Sequence, residues 1–359
     1  MSYDTLFSTF ELGRVSLHNR IVMAPMTRNR ATGNVPNALM AEYYGARADA
    51  GLIITEGTSP SPNGLGYPRI PGLFRKEQTE GWRLVTEAVH ARGGRIFAQL
   101  MHAGRVGHVA NLPEGAEVVA PSAVQLEGEM YTDSDGMQPH TTPRAMTVSD
   151  IEQAIGEYVG ASMNAIEAGF DGVELHGANG YLIDQFLNPI SNRRDDDYGG
   201  DRVRRARFAL EVSEAVGEAI GFDRTGIRLS PHGAFNGLGG YNDTPEDFAF
   251  VAKGLGVLGL VYLHVVDHSP MGAPPVPDTT KAKLREAFGG TIILSGGYDA
   301  KRAEADLVEG KGELVAFGRP FLANPDLVSR LRTDAALNAP DMATFYTPGA
   351  KGYTDYPTL

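Results

Sequence analysis

The sequence contains no cysteine. Disulfides, iron–sulfur clusters and thiolate nucleophiles are therefore excluded. No apolar run approaches the ~20 residues that a membrane-spanning helix needs. The opening stretch MSYDTLFSTFELGRVSL lacks the basic region and apolar core of a secretory signal. A cytoplasmic location without membrane attachment is the expectation. Positive charge is in deficit: 32 Lys and Arg stand against 44 Asp and Glu, a net charge of −12. With no basic stripe either, no nucleic-acid partner is expected. An acidic protein can still bind phosphate, because backbone amides and one or two arginines do so locally. No segment is of low complexity, and none reads as a linker between domains.

What is present is enough for a large core: 359 residues, 42% of them hydrophobic. Length alone allows two or three domains, but α/β barrels run long as one. Gly (44) and Pro (22) suit many tight strand–helix connections. Residues 6–17 alternate around Gly13-Arg14 and read as a small hairpin covering one end of the core. Strand-like apolar runs follow at 20–24, 52–56, 95–100, 172–175, 225–230, 260–265, 291–295 and 313–317. Helical sequence lies at 36–50, at 77–92 with Trp82, Val85 and Val89 on one face, and at 149–168, where Ile151, Ile155, Val159, Met163 and Ile166 recur at helical spacing. It continues at 202–220, at 244–257 with Thr244 as cap and Pro245 in the first position, and at 279–288, 301–308 and 325–332. Eight strand–helix units indicate a parallel α/β arrangement. Closed on itself, this is a TIM (β/α)8 barrel. The competing open, doubly wound sheet lacks its G-x-G-x-x-G after the first strand. The irregular stretch 105–147 reads as a lid or hairpin over the site. The expectation is one TIM-barrel domain over 1–359, with an N-terminal hairpin and a lid insertion after strand 3.

In such a barrel the chemistry sits at the C-terminal ends of the strands. In order, these ends deliver Pro25-Met26-Thr27, then Glu56-Gly57-Thr58, then Gln99 and His102. The fourth delivers His176, Asn179 and Tyr181; the fifth and sixth, Arg228 and His264; the last two, Ser295-Gly296-Gly297 and Gly318-Arg319. His176, Asn179 and Tyr181 fall within six residues. They supply two donors to grip a carbonyl oxygen and one acid to protonate the adjacent carbon. Alone, the same stretch also reads as an ordinary turn. The glycines after strands 7 and 8 admit a phosphate to backbone amides, or make two tight turns. Gln99 and Arg228 on buried strands are either the hydrogen-bonding edge for a planar heterocycle or a structural ion pair, for example with Glu56. His102, His176 and His264 lack carboxylates at ligand spacing, so no catalytic metal is expected. No strand end carries Lys for a Schiff base, and no G-x-S-x-G elbow is present. A flavin-free barrel acting on a phosphorylated metabolite would use the same glycines, and these residues alone leave it open.

The stretches Arg20–Arg28, Gln99–Arg105, His176–Pro189, Asn192-Arg193-Arg194 through Gly200, and Gly318-Arg319-Pro320 together resemble the Old Yellow Enzyme family of flavin-dependent ene-reductases. The likeness runs from Leu6 to the Gly352–Pro357 tail. It implies non-covalently bound FMN, reduced by NADPH or NADH. It also implies small activated alkenes or nitro compounds as substrates: enones, maleimides, nitroalkenes, nitrate esters. By the same resemblance Pro25, Met26 and Thr27 line the flavin, with Thr27 tuning its potential. Gly57 lets the ring approach, Gln99 and Arg228 hold its pyrimidine edge, and Ser295, Gly296, Gly297, Gly318 and Arg319 surround its phosphate. His176 and Asn179 bind the substrate oxygen, and Tyr181 donates the proton from the face opposite the hydride. Tyr67 and Tyr346 contact substrate, and Phe235 and Met271 shape the pocket. Many members carry a second His at the place of Asn179, which also donates a hydrogen bond. One branch has Cys where Thr27 stands, which assigns this chain to the other branch. Met101 stands where Trp is frequent and enlarges that side. The cysteine-rich cluster of the larger dienoyl reductases is absent. A monomer or small homo-oligomer is the expected assembly.

Overall fold

The computed structural model describes residues 3–359. Eight parallel strands form the barrel, because their sequences are apolar on both faces, as strands covered by helices must be. They are β3 (Ile21–Met23), β4 (Leu52–Ile54), β5 (Ile96–Leu100), β10 (Gly172–Gly177), β11 (Thr225–Leu229), β12 (Tyr262–Val266), β13 (Thr291–Ser295) and β14 (Leu314–Phe317). They pair in sequence order, and β14 returns to β3 to close the ring. Ahead of them β1 (Phe10–Leu12) and β2 (Val15–Leu17) form the expected antiparallel hairpin.

Side chains alternate along each strand. One parity, including Ile21, Ile53, Ala98, Leu175, Ile227 and Leu263, packs outward with helix residues such as Trp82, Val85, Val89 and Ile151. The other parity points in: Val22, Leu52, Ile54, Phe97, Tyr262, Ile293 and Leu314 fill the barrel, and Leu12, Val15 and Leu17 of the hairpin plug its N-terminal end. Toward the C-terminal end the inward positions turn polar, with Gln99 opposite Glu174 and His176, Arg228 and His264 in register across three strands.

The surrounding helices are α1 (Ala38–Gly45), α2 (Lys76–His90), α3 (Val148–Glu167), α5 (Arg202–Ile220), α6 (Thr244–Leu258), α7 (Asp278–Phe288), α8 (Ala300–Val308) and α10 (Leu327–Thr333). Several start at legible caps. Thr147 and Asp150 bond each other's backbone N–H at α3, and Asp201 accepts from Val203 and Arg204 at α5. Each such cap contributes about 1 kcal/mol. Two boundaries differ from expectation. At α6 the cap position is Asp243, Thr244 is already helical, and the Thr244 hydroxyl instead accepts from the Tyr241 N–H. The first helix stops at Gly45, not residue 50. The buried Arg47 follows it and gives its guanidinium to the carbonyls of Tyr43, Phe321 and Leu322. Two short helices, α4 (Leu182–Leu187) and α9 (Arg319–Ala323), were not anticipated, being too brief to show a period.

The insertion after the third barrel strand contains the parallel pair β6 (Val119–Ala120) and β9 (Arg144–Ala145), and the antiparallel hairpin β7 (Glu129–Thr132) and β8 (Gly136–Pro139). Met130 packs beneath it against a cluster that contains Tyr67, Met101 and Tyr181. Arg69 ties the hairpin to the mouth: it ion-pairs with Asp133 and donates to the carbonyls of Asn29 (3.1 Å) and Tyr346 (3.2 Å).

Inside the barrel, Gly226 leaves the space that the Tyr262 ring occupies; a Cβ there would stand 2.3 Å from the ring. Gly226→Ala is expected to cost about 1–3 kcal/mol by overpacking, read as a lower Tm in thermal unfolding.

Candidate active site

The mouth is organised around a carboxylate. Glu174 is fully buried inside the barrel. One of its oxygens accepts from the Gln99 side-chain amide at 2.8 Å, the other from His264 Nδ1 at 2.8 Å. Burial lowers the His264 pKa against the pull of Glu174. The ring is therefore neutral, with its proton on Nδ1 toward the carboxylate, and its Nε2 is buried without a partner. Arg228, on the strand between them, also has a buried Nε without a partner. Its pKa is lowered by burial, and Glu174 opposes the shift. The structural partner considered for Gln99 and Arg228 was Glu56. That carboxyl instead accepts from the Tyr44 hydroxyl (3.2 Å) and the Arg28 N–H (3.3 Å), and burial pushes it up to about 7. Glu174 holds the place because it lies on the adjacent strand in register with Gln99.

His176 stands one inward position further along the same strand. Its Nδ1 accepts from the Ala178 N–H at 3.3 Å, so the neutral ring carries its proton on Nε2. Burial, then Arg228, His264 and His268, hold its pKa well below the usual value. His176 is thus a donor without charge. Asn179 sits at φ 60°, and its Oδ1 has no partner. The Tyr181 hydroxyl lies 3.0 Å from that of Tyr67, and its ring meets His176 edge-on at 4.8 Å. Burial, then Tyr67, raise the Tyr181 pKa well above its ordinary value. The hydroxyl stays protonated, and the structure brings His176 and Tyr181 into contact, with Asn179 on the turn between them.

The other strand ends complete a cradle. Pro25, Met26 and Thr27 are half-buried after β3. At Gly57 the Met101 side chain packs against the bare backbone, and a Cβ there would lie 2.5 Å from its sulfur, so Met101 would have to shift. Gly296 and Gly297, after β13, both have positive φ (144° and 64°), and Gly318-Arg319 follow the neighbouring β14, with Arg319 exposed. Tyr67 is half-buried, whereas Tyr346 is a rim residue, 59% exposed, yet near enough to act on Tyr181 electrostatically. Phe235 packs against His268 with ring centroids 4.7 Å apart and planes tilted by 35°, and Met271 is exposed. Glu174, Ser230, Asp184 and Asn236 were not singled out from the sequence. The one available signal was an acid inside a run that has to be buried, at Glu174 and in the LIDQFL of α4. Among the described residues, no three His, Cys, Asp or Glu gather to hold a metal ion. No helix among them is long and apolar enough to cross a membrane.

The donor set fits a flat heterocycle with an anionic tail. Gln99 and Arg228 would offer the polar edge, and the glycine turns after β13 and β14 would suit a phosphate. Fold and mouth together define the class: a barrel oxidoreductase built for a flavin. The family described as "NADH:flavin oxidoreductase / NADH oxidase family" matches residues 5–338. The chain belongs to that family, the Old Yellow Enzyme family, and is an NAD(P)H-dependent flavin oxidoreductase. It is 42% identical to 12-oxophytodienoate reductase 7 of Oryza sativa subsp. japonica, over 99% of this chain and 94% of that protein. It is 41% identical to a probable flavin mononucleotide-dependent alkene reductase of Leishmania infantum, over 100% and 98%. Among solved structures, morphinone reductase superposes with a TM-score of 0.95 at 46% identity, covering 100% of this chain and 98% of the other.

Glu174→Gln would set an amide against two donors and leave Arg228 without its counter-charge. An expected loss of about 3–5 kcal/mol is measurable by chemical denaturation.

Proposed function

We propose that this protein is an FMN-dependent ene-reductase. The observation that carries the reading is the contact at 4.8 Å between an uncharged His176 and a protonated Tyr181 in the barrel mouth, with Asn179 on the turn between them. When bound, FMN supplies the hydride chemistry, taking hydride from NADPH or NADH and delivering it to the β-carbon of an activated alkene. Pro25, Met26, Thr27, Gly57, Gln99 and Arg228 would line the flavin, and Ser295, Gly296, Gly297, Gly318 and Arg319 would hold its phosphate.

The residues of the chain do the rest. His176 Nε2–H and the Asn179 amide grip the carbonyl or nitro oxygen and stabilise the negative charge that builds there. Each such donor is worth about 10²–10³ in rate. A neutral imidazole suits this task, because it stabilises the oxygen without handing over a proton. Tyr181 gives its proton to the α-carbon, and the Tyr67 hydroxyl at 3.0 Å is placed to share the load left on the phenol oxygen. Tyr67 and Tyr346 bound the substrate's far side. Arg228 offsets negative charge at the polar edge, and Glu174 supports its charge against the effect of burial. Enones, maleimides and nitroalkenes share the oxygen such a pair would grip. The protein acts on small molecules as a single barrel domain, monomer or small homo-oligomer, in the cytoplasm.

Tyr181→Phe tests the assignment. Alkene reduction is expected to fall about 100-fold or more, while bleaching of the flavin by nicotinamide stays nearly intact in anaerobic stopped-flow kinetics. Collapse of the bleaching step instead would remove Tyr181 as the acid.

A further inference from the structure

Between His176 and Tyr181 the chain turns through two successive residues with positive φ, Asn179 (60°) and Gly180 (77°). A non-glycine residue keeps that conformation only where its surroundings over-determine it. Here a separate side chain takes each of the four backbone polar groups. The Asn179 N–H donates to Ser230 Oγ at 2.9 Å, and the Asn179 carbonyl accepts from Asn236 Nδ2 at 2.7 Å. The Gly180 N–H donates to Asp184 Oδ2 at 2.9 Å, and the Gly180 carbonyl accepts from Gln185 Nε2 at 2.7 Å. The Ser230 hydroxyl in turn lies 3.4 Å from the same Asp184 oxygen. One carboxyl group therefore reaches both N–H groups of the turn, one directly and one through Ser230.

We propose that Asp184 is a positioning residue: by holding the Asn179–Gly180 turn it sets where the Asn179 amide and the Tyr181 hydroxyl stand relative to His176. The assignment deepens the ene-reductase reading and rests on it for the roles of Asn179 and Tyr181. Asp184 touches neither substrate nor flavin in this scheme and acts only through the turn.

The carboxyl group is 4% exposed. Burial pushes its pKa up to about 7, against the lowering effect of the Gly180 N–H and the Ser230 hydroxyl. Several charged or titratable groups lie on the elements around α4: His176 on β10, Arg228 and His232 on and after β11, Arg205 on α5, and Arg105 beyond β5. None of them pairs with Asp184, and none contributes to its shift. The group is therefore neutral below pH ~7 and an anion above it, and an anion is the stronger acceptor of the two N–H groups. The turn is held more firmly on the alkaline side.

The test is binding of a phenol, whose oxygen stands in for the substrate's, to FMN-loaded protein by calorimetry. Asp184→Ala is expected to weaken phenol about 10-fold, and Ser230→Ala, which cuts only the Asn179 branch, about 3-fold. Asp184→Asn keeps the shape and an acceptor, and matches the protonated acid. Its Kd relative to the natural protein is expected near 1 at about pH 6, rising to about 5-fold at about pH 8. Taking the ratio cancels the phenol's own titration. Unchanged Kd in both alanine variants overturns the proposal. So does an equal loss in Asp184→Ala and Asp184→Asn at every pH, which is the mark of general damage. Where Asp184→Ala does not fold, Ser230→Ala and Asp184→Asn decide. A protein that binds phenol with these ratios yet reduces no alkene refutes the ene-reductase reading and upholds the assignment of Asp184.

Discussion

A carboxylate with no exposure to water sits where the barrel's interior changes from apolar to polar, and the mouth depends on how it is satisfied. Glu174 takes hydrogen bonds from Gln99 and His264 and faces the charge of Arg228. A lone buried charge would be prohibitively unfavourable, but here both Glu174 oxygens take hydrogen bonds and the charge of Arg228 is opposed by that of Glu174. That balance lets an arginine remain inside a barrel with its Nε unmatched by protein. It also fixes the tautomer of His264 and the direction of the Gln99 amide. These side chains are therefore preset before any ligand arrives.

The same dry environment sorts the acid–base groups. Desolvation disfavours whichever form is charged, so the histidines of the mouth fall and the tyrosines rise. His176 and Tyr181 move in opposite directions and end up neutral together over a wide pH range. Asp184 is different, because its one strong perturbation leaves it near neutrality. On the proposed roles, working groups that do not titrate are held by one that does.

Much of this was legible in the sequence, for identifiable reasons. Strands buried on both faces write themselves as continuous apolar runs, so all eight barrel strands and the plugging hairpin could be found. His176, Asn179 and Tyr181 were visible because they leave one strand within a few residues. The supporting cast was not. Ser230 and Asn236 reach Asn179 from 51 and 57 residues away, and His264 reaches Glu174 across 90. No local spacing encodes such partnerships. The inward or outward sense of each strand position was equally hidden, because alternation is silent when both faces are apolar. That silence is why Glu56 was considered as the buried partner in place of Glu174. Expectations at helix ends erred where a residue with another task intervened, as Arg47 does after α1.

The tail carries a consequence for synthesis. Tyr353 stacks on Tyr43 at 4.0 Å, Arg28 donates to the Gly352 carbonyl at 2.6 Å, and Arg30 donates to that of Thr344 at 2.8 Å. These arginines lie immediately past Thr27, at the end of the first barrel strand. The segment after β3 is thus buttressed by residues 324 positions further along the chain, and β3 has no neighbour on one side until β14 exists. Growing from the ribosome, the chain cannot close its ring until β14 has emerged. A nascent chain that stops short of β14 therefore presents the open edge of β3.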